Sequence, residues 1–513
     1  MVTAVYNTMP YLTGCLQSLV DQSIGLSRMQ IIAVDDGSDD GGADELDTWA
    51  RRYPDTLTVL HQPNSGGPAA PSNRALTMAT GRYVFFVGAD DHLGVEALER
   101  LVTAADDLDA DIVLGRMVPV AGRYVSQAVY ARGNRDDISL TDSALPWALS
   151  NTKLFRRSML DEHGIRFPEQ LRSGSDQPFT LRAIAVARRI AVRADYDFYY
   201  AVRRTDASNI TYRTSVTGFL HDATAIMDTV TEVVADPVAR EKVLRRHFSW
   251  ELSKLLGERF LIADSDQQKN VHEGVRALAD RYLSEAIRGS IEARHRIPLS
   301  VAQHGTLDDL LAVIKHYAAS GLSPAVVDGD RVFAALPGFR EPLCGFPDDW
   351  FDFSDDVPKL AGRTRVAGVE WGLDGRGRRS LVIRLHVALP DLAALAGGTA
   401  GVTVGGQPAA LTLEGDPTGT LVRAELPLAH LRGHGRKREV LPVRFSCVVL
   451  GQTHTVAVTG SPPEGLTRIL CRLGLRFSTV VAGYDAKNRL VVRINPVGPR
   501  RVAHWLLAGL HPR

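Results

Sequence analysis

The feature that most constrains this chain is a regular alternation, from Val2 to Leu114, of short apolar runs with helix-period segments. Val2–Tyr6 reads as a strand. Asn7-Thr8-Met9-Pro10 then reads as the cap of a helix whose Tyr11, Leu12, Cys15, Leu16, Leu19 and Val20 share one face. The pattern continues with strand Gln30–Val34, helix Ala43–Arg52, strand Thr58–His61, helix Ser72–Thr80 and strand Tyr83–Val87. A further helix carries Val95, Leu98, Leu101, Val102 and Ala105 and leads into strand Asp111–Leu114. Such alternation predicts a parallel sheet covered by helices on both faces. Ligands of such sheets lie beyond the carboxyl ends of the strands, where Asp35-Asp36-Gly37-Ser38 and Gly88-Ala89-Asp90-Asp91 both fall.

The rest of the chain changes character twice. With 513 residues it is too long for one core, so two to four domains are expected. From Val216 to Ser320 the period is helical throughout. One stripe is Ile226, Met227, Val230, Val233 and Val234, and another is Leu244, Phe248, Leu252, Leu255 and Leu256. A glycine- and proline-rich stretch, Leu322 to Lys359, contains the turn Val327-Asp328-Gly329-Asp330. Beyond it Leu381–Val387, Leu421–Leu426, Val440–Val448 and Leu490–Ile494 alternate as strands, with turns such as Asp374-Gly375 between them. The expected organisation is an α/β domain over 1–212, a helical linker domain over 213–358 and a C-terminal β-sandwich over 359–513.

Lys+Arg and Asp+Glu balance at 59 each, which removes any bulk electrostatic case for nucleic acid as a partner. The cysteines, Cys15, Cys344, Cys447 and Cys471, are too scattered for a disulfide framework or a zinc site. No apolar run approaches the roughly 18 residues that span a bilayer, and the first residues do not form a signal peptide. A cytoplasmic location is expected.

Taken singly, the acidic pairs also fit plain local structure: Asp35-Asp36 as a helix cap or turn, Asp90-Asp91 as a turn after a strand. Tyr6 fits a core aromatic. Order and spacing change the balance. Ala4-Val5-Tyr6-Asn7, Val34-Asp35-Asp36-Gly37-Ser38, Asn64-Ser65-Gly66-Gly67, Gly81-Arg82-Tyr83 and Gly88-Ala89-Asp90-Asp91 resemble, in order, the nucleotide-binding half of family 2 glycosyltransferases. Lys153-Leu154-Phe155-Arg156-Arg157, Gly164-Ile165-Arg166-Phe167 and Ser175-Asp176-Gln177-Pro178-Phe179 resemble the acceptor half of the same family. The resemblance covers residues 1–212 and implies a GT-A fold, a Rossmann-like mixed sheet.

The resemblance also implies roles. Tyr6 would stack on uracil, with the backbone of Ala4 lining the base pocket. Asp36 would accept from the uracil imide, Asp35 would fix the loop, and Asn64 and Ala89 would lie beside the nucleotide. Asp90 matches the metal-binding aspartate and Asp176 the general base of an inverting transfer from a UDP-sugar, with Mn²⁺ or Mg²⁺ as cofactor. Arg74 and Arg204 are candidates for the phosphates, and Asp91, Ser175 and Gln177 for the acceptor side. A solvated surface pair is the other reading of Arg203 and Arg204, which precede Ser208.

Three departures from the family pattern stand out. Gly88 occupies the first metal-ligand position, Ser72 stands where an arginine is common, and the chain opens inside the first strand. A catalytically weak or inactive nucleotide-binding scaffold, and a nucleotidyltransferase, are the rival readings. Against the second, Asn7-Thr8-Met9-Pro10 lacks the glycine-rich basic loop that such an enzyme needs after its first strand. The layout resembles wall teichoic acid glycosyltransferases, which implies a polymeric or lipid-linked glycan acceptor and a homo-oligomer, a trimer favoured. The basic-amphipathic tail through Arg500, Arg501, Val502, Trp505, Leu506, Leu507 and Leu510 suits packing on its own domain, on a neighbouring subunit or peripherally on a membrane.

Overall fold

A computed structural model describes residues 1–204, 215–431, 438–460, 468–473 and 476–497. It divides into two units, Met1–Ile291 and Glu292–Arg513. Ser208 and the tail from Arg500 to Leu510 lie outside the described residues.

The first unit begins with the expected alternation: β1 (Val2–Val5), α1 (Tyr11–Val20), β2 (Ile31–Asp35), α2 (Gly42–Arg52), β3 (Leu57–His61), α3 (Ala69–Met78) and β4 (Tyr83–Phe85). It continues with β5 (His92–Leu93), α4 (Ala97–Leu108), β6 (Ile112–Gly115) and β7 (Met117–Val120). β1, β2 and β3 pair in parallel, and a parallel bridge from Val2 to Phe86 carries the sheet to the β4 segment. The buried faces of α1, α2 and α4 close over these strands through Leu12, Leu16, Leu46, Trp49, Leu98 and Leu101. Each fully buried leucine contributes about 2 kcal/mol through its removal from water.

The parallel run ends at the next strand, where the sheet becomes mixed, as the resemblance implies. β8 (Leu154–Arg156) runs antiparallel between β4 and β6, while β9 (Ile190–Arg193) returns parallel to β6. A parallel neighbour needs a crossover that brings the chain back to the same end of the sheet. Residues 121–153 provide only irregular chain with two short 3-10 turns, Ala128–Tyr130 and Leu145–Trp147, so the chain re-enters from the opposite end. The sheet is therefore mixed. α5 (Arg157–Glu162) and α6 (Asp176–Val186) follow β8, and β10 (Tyr199–Val202) lies between β5 and β7 in a small second sheet.

Two local expectations are corrected. No side chain caps α1, because Pro10 occupies its N-cap and Asn7 instead exchanges hydrogen bonds with Asp39. Val95 stands before α4 and is 56% exposed.

The helical region opens with α7 (Val216–Val233), capped by Ser215, and α8 (Pro237–His247), capped by Asp236. A π-helical turn, Phe248–Leu252, continues α8, and α9 (Ser265–Tyr282) packs on α7, which also packs on α6. Ile226, Met227, Val230 and Val234 are buried as the stripe requires, as are Leu244, Phe248, Leu252, Leu255 and Leu256.

The second unit starts with α10 (Ala293–His304) and α11 (Leu307–Ser320), the latter closed by a Thr306/Asp309 capping box. The hairpin Ala325–Asp328/Arg331–Ala334 turns at Gly329 with φ +63°. Two antiparallel sheets follow. One has the order Arg365–Leu373, Arg379–Val387, Gly419–Pro427, Ala410–Asp416. The other is built around Glu439–Val449, Leu490–Pro496 and Arg476–Tyr484. Val443, Phe445, Cys447 and Val449 are buried at alternate positions, the period-2 signature of a sheet with one covered face. Among the described residues no helix is long and apolar enough to cross a membrane.

Candidate active site

A cavity of about 1130 Å³ opens at the carboxyl ends of β1, β2 and β3. Ala4 and Tyr6 line it from β1 and its following loop, Asp36 from the end of β2, and Asn64 from the loop after β3. Tyr6 is 41% exposed and is no core aromatic. Asp36 is buried, and its carboxylate organises the opposite loop: it accepts from Gln62 Nε2 at 2.6 Å and from Ser65 N and Oγ at 3.0 and 2.9 Å. Asp35 faces away from the cavity. It accepts from Ser38 N at 3.0 Å and meets His61 Nδ1 at 3.1 Å, bracing the turn that presents Asp36. Gly37 completes that turn at φ +80°, and a Cβ there would stand 2.9 Å from Asn64 N. Two loops approach at this point with no room for a side chain.

Arg74 does not line the cavity. From α3 its Nη1 turns back to the His61 carbonyl at 3.0 Å and Gln62 Oε1 at 3.2 Å. Ser72 is buried. Arg204 does line the cavity; its Nε donates to Asp90 Oδ2 at 2.7 Å and its Nη1 donates to the Asn7 carbonyl at 3.1 Å. Asp90, Arg204 and Ala89 all line the cavity.

Asp91 lines it too, yet its carboxylate is committed inward. Oδ2 accepts from the Tyr199 hydroxyl at 2.5 Å and Oδ1 from Val202 N at 2.7 Å. The Tyr199 oxygen in turn accepts from Gly88 N at 3.0 Å. Asp91 thus pins β10 to the end of the central sheet, and burial plus the adjacent Asp90 charge push its pKa up to about 7. Gly88 belongs to this lock. A Cβ there would lie 2.7 Å from Asp91 Oδ2 and 3.2 Å from the Tyr199 oxygen. The glycine leaves room for the Asp91–Tyr199 pair as it stands. Gly88→Asp is accordingly expected to lower the melting temperature without strengthening Mn²⁺ binding, as measured by calorimetry on both proteins.

The cation question turns on the donor set. Among the described residues no three His, Cys, Asp or Glu side chains gather to hold an ion by themselves. One carboxylate at the cavity end, Asp90, fits Mg²⁺ or Mn²⁺ only together with substrate phosphate oxygens, a common arrangement for these hard cations.

Asp176 lines the same cavity from the first turn of α6. Burial raises its pKa to about 6, opposed by the positive charges of Arg246 and Lys153. Lys153 is 2% exposed at the entry to β8, donates to the Ser150 carbonyl, and is lowered to about 7 by its own burial. Ser175 is buried and does not line the cavity; Gln177 does, with its amide bonded to Arg246 and Glu251.

The sequence patterns gave no role to several lining residues. Lys153 was visible only as part of a motif. Arg246 and Trp250 come from α8 and the π-helical turn, and Tyr124 from the loop after β7. Tyr124 and Trp250 stack at 4.9 Å, with Lys254 Nζ 4.4 Å from the Trp250 ring. Nothing in their local sequence marks them, because they meet only across the tertiary fold.

The chain is similar to known glycosyltransferases in sequence and in fold. Residues 1–164 match the family model for glycosyl transferase family 2, and residues 217–314 match that for the glycosyl transferase TarS linker domain. A poly(ribitol-phosphate) beta-glucosyltransferase of Bacillus spizizenii is 39% identical over 204 residues, 40% of this chain and 32% of that protein. The poly(ribitol-phosphate) beta-N-acetylglucosaminyltransferase TarS of Staphylococcus aureus is 28% identical over 323 residues, 62% of this chain and 55% of that one. The matches thus span between a third and just over half of the length of these relatives. The crystal structure of S. aureus TarS superposes with a TM-score of 0.66 at 20% identity, covering 98% of this chain and 85% of that one, which shows a shared fold. S. aureus TarS 1–349 in complex with UDP-GlcNAc gives a TM-score of 0.56 at 26% identity, covering 65% and 95%.

Proposed function

We propose that this chain, which carries a family 2 glycosyltransferase domain followed by a TarS linker domain, transfers a hexosyl or N-acetylhexosaminyl unit from a UDP-sugar to a hydroxyl of a polyol-phosphate polymer such as teichoic acid, with inversion at the anomeric carbon. One observation carries the reading. The nucleotide-side residues Tyr6, Asp36 and Asn64, the Asp90–Arg204 pair and Asp176 all line one cavity. The relatives named for poly(ribitol-phosphate) transfer supply the acceptor class.

In this mechanism Tyr6 offers its ring to the uracil, and Asp36, held by Ser65 and Gln62, accepts from the imide N–H. Asp176 takes the proton of the acceptor hydroxyl as that oxygen forms its bond to the anomeric carbon. The bond from that carbon to the diphosphate oxygen breaks on the opposite face, and UDP leaves with the electron pair. Arg204 sets a fixed positive charge at the diphosphate end. Asp90 and the diphosphate oxygens would hold Mg²⁺ or Mn²⁺, which supplies charge neutralisation of the leaving group when bound. Arg74 takes no part in our assignment, Asp35 and Asp91 act through the loops they hold, and Ser175 and Gln177 stand behind the base.

The base works only when ionised. With Asp176 raised to about 6, kcat/KM is expected to be level above that pH and to fall about tenfold per unit below it. A profile flat down to pH 5 would count against Asp176. The function itself is tested by incubating the full chain with Mn²⁺, poly(ribitol phosphate) and a panel of UDP-sugars, following UDP release. Failure of every UDP-sugar both to react and to raise the melting temperature would sink the reading. We further propose the three-part division at 212 and 358, a cytoplasmic site of action with peripheral membrane contact, and a trimer. Light scattering on the full chain checks the trimer, and a monomeric mass would exclude it.

A further inference from the structure

Asp176 opens α6, yet the side chains that surround its first turn come from other parts of the chain. Gln177, the next residue, closes a triangle with two side chains of the helical region. Arg246 Nη1 donates to Gln177 Oε1 at 2.6 Å, Gln177 Nε2 donates to Glu251 Oε1 at 3.1 Å, and Arg246 Nη1 meets Glu251 Oε1 at 2.7 Å. The side chains of Arg246 and Glu251 are 11% and 7% exposed. Burial of such a pair carries a desolvation cost that apolar side chains of the same volume would avoid, so it is weak evidence for stability alone. The buried Arg246 Nε makes no hydrogen bond, which again shows that the fold does not extract the most from this residue.

The backbone here is also unusual. Arg246 is near the end of α8, and Glu251 lies on the π-helical turn Phe248–Leu252. In an α-helix, residues five apart diverge by about 140°, whereas the wider π turn swings the later side chain back toward the earlier one. That turn brings Glu251 onto Arg246 and brings both onto Gln177.

We propose that Arg246 and Glu251 are positioning residues for Asp176, their triangle with Gln177 locking the first turn of α6 and setting the charge around its carboxylate. The helical region after the transferase fold thereby tunes the base. This inference rests on the reading of Asp176 as that base.

The strongest charges acting on Asp176 are Arg246 on α8, Lys153 at the entry to β8, and Glu251 on the π turn. Behind them, Lys254 Nζ lies 3.8 Å from Glu251 Oε2, and His247, kept neutral by burial, touches Arg246 through Nδ1. From α7, Asp222 is occupied in accepting from Ser173 N and Oγ. Arg246 favours the ionised base and Glu251 opposes it, so their removal has opposite signs.

The test is the acidic limb of kcat/KM for the full chain. Arg246→Gln is expected to move the limb up by about 1 pH unit and Glu251→Gln to move it down by a similar amount. Arg246→Lys, which keeps the charge, should leave the limb close to wild type. A purely structural role would lower kcat in all three without separating the limbs. Coincident limbs, or shifts of the same sign, would overturn the proposal. Should Arg246→Gln fail to fold, as judged by its melting curve, the downward shift in Glu251→Gln still decides. Asp176→Asn run alongside separates the two levels: wild-type turnover there removes the base itself, whereas an inactive Asp176→Asn with unmoved limbs removes only this inference.

Discussion

Asp176→Asn is expected to lower turnover by about 10²–10⁴-fold while UDP binding survives. The amide is nearly isosteric with the carboxylate, so α6 and its neighbours have no steric reason to move, and it cannot take up the acceptor proton. The residues proposed to contact the nucleotide, Tyr6, Asp36 and Asn64, line the cavity from other segments, and the substitution touches none of them. Removing a partly buried charge that is attracted by Arg246 and Lys153 leaves two cations less compensated, so a lowered melting temperature should accompany the loss. Initial-rate assays with calorimetric UDP titration on one preparation separate these effects. An unchanged rate would remove Asp176 from the chemistry.

Asp90→Ala is expected to abolish the metal dependence of UDP binding and to lower kcat by about 10²–10³-fold, the size of effect seen when one group stabilising transition-state charge is removed. The neighbouring substitution makes the control. Asp91→Ala leaves Val202 N and the Tyr199 hydroxyl without the acceptors they now have, a loss of about 1–3 kcal/mol for each buried group left unpaired. It should therefore act mainly on stability, while Asp90→Ala acts mainly on Mn²⁺-dependent affinity. Titrations of UDP with and without Mn²⁺, beside melting curves, distinguish the two. Equal losses of metal-dependent binding would show that the ion is not assigned to Asp90 alone.

The two aspartates illustrate how far a motif reaches: it marked Asp90 for the metal and Asp91 for the acceptor side, and carried no sign that the Asp91 oxygens are taken up inside the fold. Asp90 and Asp91 carry the same chemistry one position apart, and only the arrival of β10, more than a hundred residues later, turns Asp91 toward Tyr199 and leaves Asp90 to Arg204. Gly88 is similar. As a letter it looks like a missing ligand; in the fold it is the space that the Asp91–Tyr199 lock occupies. Arg74 was a plausible phosphate contact by proximity along the chain, but a side chain on α3 follows the helix surface, and that surface points Arg74 back to the end of β3. The antiparallel β8 was hidden for a different reason: strand direction is decided by where a connection re-enters, which periodicity does not encode.

By itself the sequence determined most of the elements and which motif residues stand at their ends. Period-2 and period-3.6 patterns are local, so strands, helices and the turns between them could be placed, and the ordered motifs put Tyr6, Asp36, Asn64, Asp90 and Asp176 on the rim where a nucleotide-sugar would sit. The tertiary structure alone decided that the Asp91 oxygens are taken up by Tyr199 and Val202, which arginine meets Asp90, and that Arg246 and Glu251 of the helical region enclose the residue after Asp176. Burial, ion pairing and charge environment arise between segments distant in sequence, and no local pattern can carry information about a neighbour that only folding supplies.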